Sequence, residues 1–440
     1  MGEVLLPLLY TGLFLLVIQR WGFFAAPGLG KGTISGLFLL KIAAGTALWW
    51  VYTAHYTDRA TADIYKYFDD GNVLFSALPE RPADYLRMLF GVVDDRERFD
   101  TQYFRVMNNW YRQYEGALYN DAHTMIRFNA VVRLFSFGSY HVHTVFACFL
   151  GLIGLTALYK AFVRYLPGLE WGLLFAVFLL PTVLFWGSGV LKESLLLLGI
   201  GPLVAAGLRI AEREVRWTIV LRFLLSAFLL CFLKIYVLMA LLPGLIAVMW
   251  HGTAPRPGAW WRFGTVHLVC LVLALNSELL LPGFDLLEVI RVKQKDMIDL
   301  VAEIPTGSYV PTEKLAATPI SFLINAPHAL FLTFLSPFLM LGSGALGLVT
   351  AAENALPFLA LAFTLPFAKR RKDIAWPLVL FCLLYVLVLG LIIGWTTPVI
   401  GALVRYRLPF FPFLFIGLLL IIDPQRLPAW NALSRKRSTS

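Results

Sequence analysis

The chain has 440 residues, of which 59% are hydrophobic and only 15% are charged, and its mean hydropathy is +0.73. Soluble domains are about 45–50% apolar and about 25% charged, so this composition excludes an ordinary soluble domain and predicts an all-α polytopic membrane protein. The net charge of +10 fits a positive-inside bias and contacts with anionic lipid headgroups. No basic run interleaved with aromatics marks a nucleic-acid-binding domain, so no nucleic-acid partner is expected.

Long apolar segments predict about eleven transmembrane helices within one integral membrane domain that covers residues 1–440. Each is close to the roughly 20 residues that cross a bilayer as a helix. The segments are 4–19, 34–54, 143–163, 171–187, 190–208, 217–233, 235–251, 263–282, 348–368, 375–395 and 408–423. The first lacks a basic n-region and a small-residue cleavage site, so we expect a retained helix rather than a cleaved signal peptide.

Lys and Arg residues fall in the short loops on one side of these segments, which the positive-inside rule assigns to the cytoplasm. The chain is then expected to start outside and end inside, with two long segments on the outer face, 55–140 and 282–347. The first is expected to fold into a small helical cap on the membrane surface. The second contains a predicted amphipathic helix at 284–304 and an apolar piece, 318–345, expected to lie in the interface.

Carboxylates cluster in residues 55–71, HYTDRATADIYKYFDDG, where the second predicted span leaves the bilayer. Asp63, Tyr67 and Asp70 are spaced i, i+4, i+7, which places them on one face of a helix, with Tyr67 as a substrate contact. Asp63, Asp58 or Asp70 could act as general base on an acceptor hydroxyl, or coordinate Mg²⁺ or Mn²⁺ that holds a phosphate. The alternative is a solvated helix start, in which aspartates cap the helix and offset its dipole.

The sequence PTVLFWGSGVLKES, residues 181–194, is predicted to turn on the outer face and to open the next helix. Its small residues, its helix N-terminus and Lys192 suit a phosphate, and Glu193 is a candidate substrate contact. A Lys and a Glu at this place would be costly if they faced lipid. The alternative is that Lys192 snorkels to the interface while Glu193 offsets the helix dipole.

Basic residues at other outer positions are candidates for the same lipid phosphate. Arg405 and Arg407, in RYRLPFFPF, run against the positive-inside bias, and guanidinium groups bind phosphate bidentately. An ion pair with an outer-loop carboxylate is the alternative. Lys234, at the outer end of the sixth span, could join this basic set. Arg127 and Asn129, in RFNAVVRLF, could reach into a shared substrate cavity or stitch the cap to the membrane surface.

These stretches resemble the GT-C superfamily of polyprenyl-phosphate-dependent integral membrane glycosyltransferases. The similarity lies in the aspartates of HYTDR and TADIYKYFDDG, the expected helical cap, the turn FWGSGVLKES and the late RYRLPFFPF. The resemblance implies that Asp63, or Asp58, is the catalytic base and that the late Arg-Tyr motif lies near the lipid phosphate. The chain departs from the family pattern because no acidic pair ends the first span, and its acidic cluster follows the second.

The leading hypothesis is an inverting glycosyltransferase on the outer, periplasmic face of a bacterial inner membrane. It would move a sugar from an undecaprenyl-phosphate carrier to a glycan, lipid or protein acceptor. One alternative is an O-antigen or exopolysaccharide polymerase that uses a lipid-pyrophosphate donor. Another is a non-enzymatic transporter or assembly subunit, and the near absence of charge at mid-bilayer depth in the predicted spans argues against a transporter.

Overall fold

The chain folds into helices joined by short turns. The computed structural model describes residues 2–54, 59, 62–93, 95–111, 119–303, 308–336 and 344–427, with the backbone alone described at 344–350. No β-strand occurs in these ranges, which contain only isolated bridges.

The helices are α1 (Gly2–Arg20), α2 (Lys31–Ala54), α3 (Asp63–Ser76), α4 (Pro82–Phe90), α5 (Arg96–Gln102), α6 (Ala122–Ser136), α7 (Tyr140–Phe162), α8 (Glu170–Leu174), α9 (Pro181–Trp186), α10 (Lys192–Ala211), α11 (Trp217–His251), α12 (Ala259–Leu275), α13 (Ser277–Leu280), α14 (Leu286–Glu303), α15 (Pro319–Leu335), α16 (Gly344–Thr364), α17 (Trp376–Thr396), α18 (Ile400–Tyr406) and α19 (Phe411–Ile421).

Within the described ranges, six helical stretches are long and apolar enough to cross a membrane: Glu3–Arg20, Lys31–Ala54, Tyr140–Tyr165, Lys192–Ala211, Trp217–His251 and Trp376–Thr396. The pair α18 and α19, bent by 53°, makes a seventh if it counts as one broken span. The prediction of an all-α, multi-pass membrane protein is therefore confirmed, whereas the prediction of about eleven spans is not.

Two predicted spans correspond to interrupted or shorter helices. In the predicted span 171–187, α8 passes into a π-helical turn that ends at Leu179, and α9 begins at Pro181. Proline has no amide hydrogen and disfavours a helical conformation in the residue before it, which explains the break. The predicted span 263–282 becomes α12, which has 17 residues.

Helix α11 contains a reversal of the chain. Its backbone is non-helical at Lys234 (φ −153°, ψ 84°), between the predicted spans 217–233 and 235–251. A methyl group added at Gly207 would lie 3.6 Å from Phe223 Cε2 and 2.9 Å from Leu245 Cδ2. In an unbroken helix, positions 223 and 245 would be about 33 Å apart, so the two halves of α11 must fold back beside each other.

The surface of the long helices is apolar in the way that a lipid environment requires. Val4, Leu5, Leu8 and Leu9 of α1 are each at least 62% exposed. A contiguous exposed surface of this kind marks an interaction site in a soluble protein, and here lipid chains are its natural contact.

One compact unit comprises Met1–Ala157, Leu184–Gly201 and Ser226–Ile235. Helices α3 to α6, all within the predicted cap region 55–140, pack their aromatic and aliphatic side chains into a common core. Helices α3 and α6 approach closely at Gly71, where a Cβ atom would lie 2.6 Å from Asn129 Cβ. Glycine at this position therefore sets the distance between the two cap helices.

The other compact unit comprises Leu158–Val183, Pro202–Leu225 and Tyr236–Ser440. Helices α15, α17 and α19 pack together in it, with glycines at their closest contacts. A Cβ atom at Gly394 of α17 would lie 2.1 Å from the Ala329 carbonyl oxygen of α15. The predicted amphipathic helix is confirmed as α14 in this unit, where Gln294 bonds the backbone of Glu313 and Leu315.

Candidate functional site

Lys192, the first residue of α10, lies against the cap of its unit. Its Nζ donates a hydrogen bond of 2.8 Å to Asp121 Oδ1, and lies 5.1 Å from the centre of the Tyr67 ring. The lysine side chain is 11% exposed and the aspartate side chain 31%. The structure therefore places a largely buried cation between an aromatic face and a carboxylate that partly reaches solvent.

Lys234 and Glu193 form a second, fully enclosed ion pair nearby in sequence. Lys234 Nζ lies 2.9 Å from Glu193 Oε1, and both side chains are at most 5% exposed. The reversal at Lys234 leaves helix-end carbonyls without helical partners, and the Thr124 hydroxyl of α6 donates 2.7 Å to the Phe232 carbonyl. These contacts hold the tip of the α11 hairpin against the cap.

The acidic face of α3 is formed as the spacing predicts. Asp63 is the first residue of the helix and is half-buried, and Tyr67 follows one turn later with its ring under the Lys192 ammonium. Residues spaced i, i+4 have Cβ atoms about 5–6 Å apart, so Asp63 lies within one turn of the Lys192 contact.

Asp70 holds a loop of the cap in place. Its two carboxylate oxygens accept hydrogen bonds from the backbone amides of Asn108 and Asn109, at 2.7 and 2.8 Å. Burial raises the pKa of Asp70 to about 6, although the two amides oppose that rise. The geometry therefore favours a structural role for Asp70 over the predicted catalytic one.

Two further aspartates, Asp69 and Asp58, belong to the acidic stretch at residues 55–71. Asp69 accepts a bidentate pair of hydrogen bonds, 2.9 and 2.6 Å, from the Arg59 guanidinium on the surface. Asp58, the alternative base, lies outside the described residues.

Arg127 and Asn129 make contacts within the cap. Arg127 Nε donates 3.1 Å to the Met88 carbonyl, and Nη1 donates 2.8 Å to the Tyr119 hydroxyl. Asn129 is fully buried, and its Oδ1 lies 2.7 Å from Nδ1 of His143. Their polar groups stabilise the packing of α6 in the cap, and neither points to a substrate role.

The late arginines belong to the other unit, where Arg407 is 1% exposed. Its Nη1 donates to Asn354 Oδ1, and its Nη2 donates to the carbonyls of Leu332, at 3.3 Å, and Ser336. Arg405 is half-buried in the last turn of α18. Because protein acceptors already occupy both terminal nitrogens of Arg407, the geometry favours a structural guanidinium over the predicted phosphate ligand.

The sequence analysis missed Lys41, which lies buried inside the transmembrane helix α2. It is about 15 Å from one helix end and about 20 Å from the other. Its Nζ donates 2.6 Å to the Gly187 carbonyl and 3.1 Å to the Ser188 hydroxyl. Lys41 is therefore an exception to the prediction that the spans carry almost no charge at mid-bilayer depth. A single lysine within a long apolar run was the sequence signal that could have identified it.

The turn at residues 187–189, which precedes α10 in the chain, packs against α2. A Cβ atom at Gly45, one turn after Lys41, would lie 2.2 Å from the Ser188 carbonyl oxygen. The Cys148 thiol of α7 donates to that same oxygen at 3.0 Å. The predicted phosphate-binding turn is thus enclosed by protein, and Lys192, at the helix start, reaches the cap.

No group of three or more His, Cys, Asp or Glu side chains that could hold a metal ion occurs in the described part of the chain. A role for Mg²⁺ or Mn²⁺ stays a prediction.

Two cap carboxylates should give opposite pH dependences of stability. Asp70 has a pKa of about 6 in the folded state, above its ordinary value of 3.8, so the folded state binds the extra proton and stability falls as the pH rises toward 6. Asp84 accepts two hydrogen bonds from Arg98, which lowers its pKa, so its contribution is lost as the pH falls.

Melting temperatures in detergent from about pH 3 to about pH 7 test these signs. Relative to Asp70→Asn, the wild type should lose stability as the pH rises. Relative to Asp84→Asn, it should gain stability over the same change. Parallel profiles for all three proteins would contradict both assignments.

Gly45→Ala should push the turn at residues 187–189 away from α2, because the added methyl group would clash with the Ser188 carbonyl oxygen, which cannot rotate away. Overpacking of this kind costs about 1–3 kcal/mol. We expect a lower melting temperature and faster labelling of Cys148 by a maleimide, read by peptide mass spectrometry. The control is Gly36→Ala in the same helix, which has no atom within 4 Å of the added methyl group and should be neutral or stabilising. Equal behaviour of the two variants would rule out the seated turn.

Comparisons with models of known protein families, with curated proteins and with solved structures all give no match.

Proposed function

We propose that the protein is a membrane transferase that moves a sugar from a polyprenyl-phosphate carrier to a hydroxyl acceptor at the outer face of a bacterial inner membrane. The observation that carries the proposal is that Lys192, at the start of a membrane helix, lies over the ring of Tyr67, which follows Asp63 by one turn of α3. A lipid carrier and a polar acceptor both have access to a site at such a boundary.

The two lysines are assigned different roles because their partners differ in exposure. Breaking the enclosed Lys234–Glu193 pair would leave an uncompensated buried charge, at a cost of about 3–5 kcal/mol, so this pair is structural. Asp121 is partly exposed and can turn to solvent at a lower cost. An arriving lipid phosphate can then replace Asp121 as the partner of Lys192.

The proposed reaction needs one base and one stabilised leaving group. Asp63 accepts the proton of the acceptor hydroxyl, whose oxygen forms a bond to the anomeric carbon. The bond between that carbon and the carrier phosphate oxygen breaks, and the electron pair leaves on the phosphate. Lys192 stabilises the charge that develops there, and attack from the opposite face inverts the anomeric configuration.

Transport of a polar ligand is the second candidate function, and Lys41 is the observation that favours it. Ionisable residues within membrane helices commonly mark ion or substrate paths, and broken helices surround many transporter sites. Lys41 is buried in α2 and donates to the Gly187 carbonyl, in the interruption between α9 and α10. Under this alternative the protein would bind a lipid-linked sugar without cleaving it.

Asp63→Asn should abolish transfer while leaving carrier binding intact, because it removes the base and keeps the shape of the side chain. The assay supplies lipid-linked sugars extracted from the native membranes to protein in lipid nanodiscs. Released polyprenyl phosphate is measured by mass spectrometry. We expect a loss of at least about 100-fold, the lower range for a general base.

The matched control is Asp69→Asn, which removes a surface carboxylate from the same helix and should retain wild-type turnover. Full activity of Asp63→Asn would sink the assignment of the base. If the wild type binds the lipid-linked sugar but releases no polyprenyl phosphate, the transport function is favoured instead.

A further inference from the structure

A pocket of about 450 Å³ lies where the ends of α16, α17 and α19 meet, within the larger of the two compact units. Four basic side chains and two carboxylates line it, which gives its lining a net charge of +2. The lining residues are Lys369, Arg370, Lys372, Asp373, Asp423, Gln425 and Arg426. We refer to it as the basic pocket.

Backbone hydrogen bonds fix the two chain segments that form the basic pocket. The amide of Lys369 donates 2.8 Å to the Ile421 carbonyl, and the amide of Asp423 donates 2.8 Å to the Phe367 carbonyl. The Arg426 guanidinium closes the same junction by donating 3.1 Å to the Ala368 carbonyl. The basic side chains are therefore presented by a braced scaffold rather than by loose loops.

One of the two carboxylates of the basic pocket, Asp423, is engaged within the protein. Asp423 Oδ1 accepts from the Gln425 amide at 3.1 Å, and its Oδ2 lies 3.5 Å from Arg426 Nε. Lys369 is half-buried and donates 3.1 Å to the Leu420 carbonyl. Burial lowers the pKa of Lys369, although Asp423 and Asp373 oppose that change.

Aromatic side chains place the basic pocket at the height of lipid headgroups. Trp376 Nε1 donates 2.9 Å to the Arg371 carbonyl beside the pocket, and its ring lies 5.3 Å from that of Trp260. Trp260 and Trp261 are both more than half exposed. Tryptophan concentrates at the membrane–water boundary, where its ring is in the apolar layer and its N–H is in the polar one.

We propose that the basic pocket binds the phosphate group of an anionic ligand, with Arg370 and Lys372 as its charged contacts. Guanidinium groups bind phosphate oxygens bidentately, and the lysine adds a point charge. Basic pockets between membrane helices bind anionic headgroups in this way. The phosphate can belong to an anionic phospholipid or to a soluble phosphate ester, and the site is independent of the proposed transferase activity.

Binding of phosphatidylglycerol and of phosphatidylcholine to the delipidated full chain, titrated by native mass spectrometry, tests the proposal. The variant is Arg370→Gln/Lys372→Gln, since both side chains are exposed and the fold does not depend on them. The control is Arg213→Gln/Arg216→Gln, which removes the same charge from another exposed loop. We expect the wild type to prefer phosphatidylglycerol, and the pocket variant to lose about tenfold in its affinity, whereas the control stays within about twofold.

Excess inorganic phosphate separates the two sources of the ligand. If it displaces phosphatidylglycerol from the wild type, the phosphate group alone is sufficient and a soluble phosphate ester can bind. If it does not, the acyl chains take part and the ligand is a phospholipid. Both results support the site. Equal affinities of the pocket variant and the control, or no preference over phosphatidylcholine, would overturn it.

Discussion

Lys41 donates hydrogen bonds to the Gly187 carbonyl and the Ser188 hydroxyl from the middle of a membrane helix. Backbone polar groups in a bilayer must find partners within the protein, so a turn at this depth is stable only where side chains or helices enclose it. The absence of a side chain at Gly45 lets the turn reach α2, and the lysine then closes the contact. The start of α10, and with it the position of Lys192, depends on this arrangement.

Other buried charged residues of the chain also find their polar partners within the protein. Lys234 is at the reversal of α11 and is compensated by Glu193, while Arg407 bonds helix-end carbonyls in the other unit. Each of these cations therefore stabilises an interruption of helical structure. Lys192 differs because its partner, Asp121, is partly exposed, and this difference in exposure is the basis for assigning the carrier phosphate to Lys192 rather than to Lys234 or Arg407.

The sequence predicted the helical class and helix α3, because these depend on long apolar runs and on local periodicity. It did not predict which charges pair, since Asp121 and Lys192 are 71 residues apart and Lys41 lies 146 residues from Gly187. The predicted number of spans differed because a hydropathy profile reads the broken pair α8 and α9 as one continuous membrane crossing.

Asp70 and Arg407 are residues of the types that catalysis and phosphate binding use. Only the tertiary contacts show that their side chains already form hydrogen bonds with backbone groups.

We propose that Lys192 exchanges Asp121 for a lipid phosphate. The experiment that tests this exchange is native mass spectrometry of protein purified gently from its own membranes, comparing the wild type with Asp121→Asn and Lys192→Met. We expect a co-purified polyprenyl phosphate or sugar-phosphate lipid in the wild type, greater occupancy in Asp121→Asn, where the competing carboxylate is gone, and loss of the lipid in Lys192→Met. The same bulk phospholipids in all three proteins, with no carrier lipid in any of them, would contradict it.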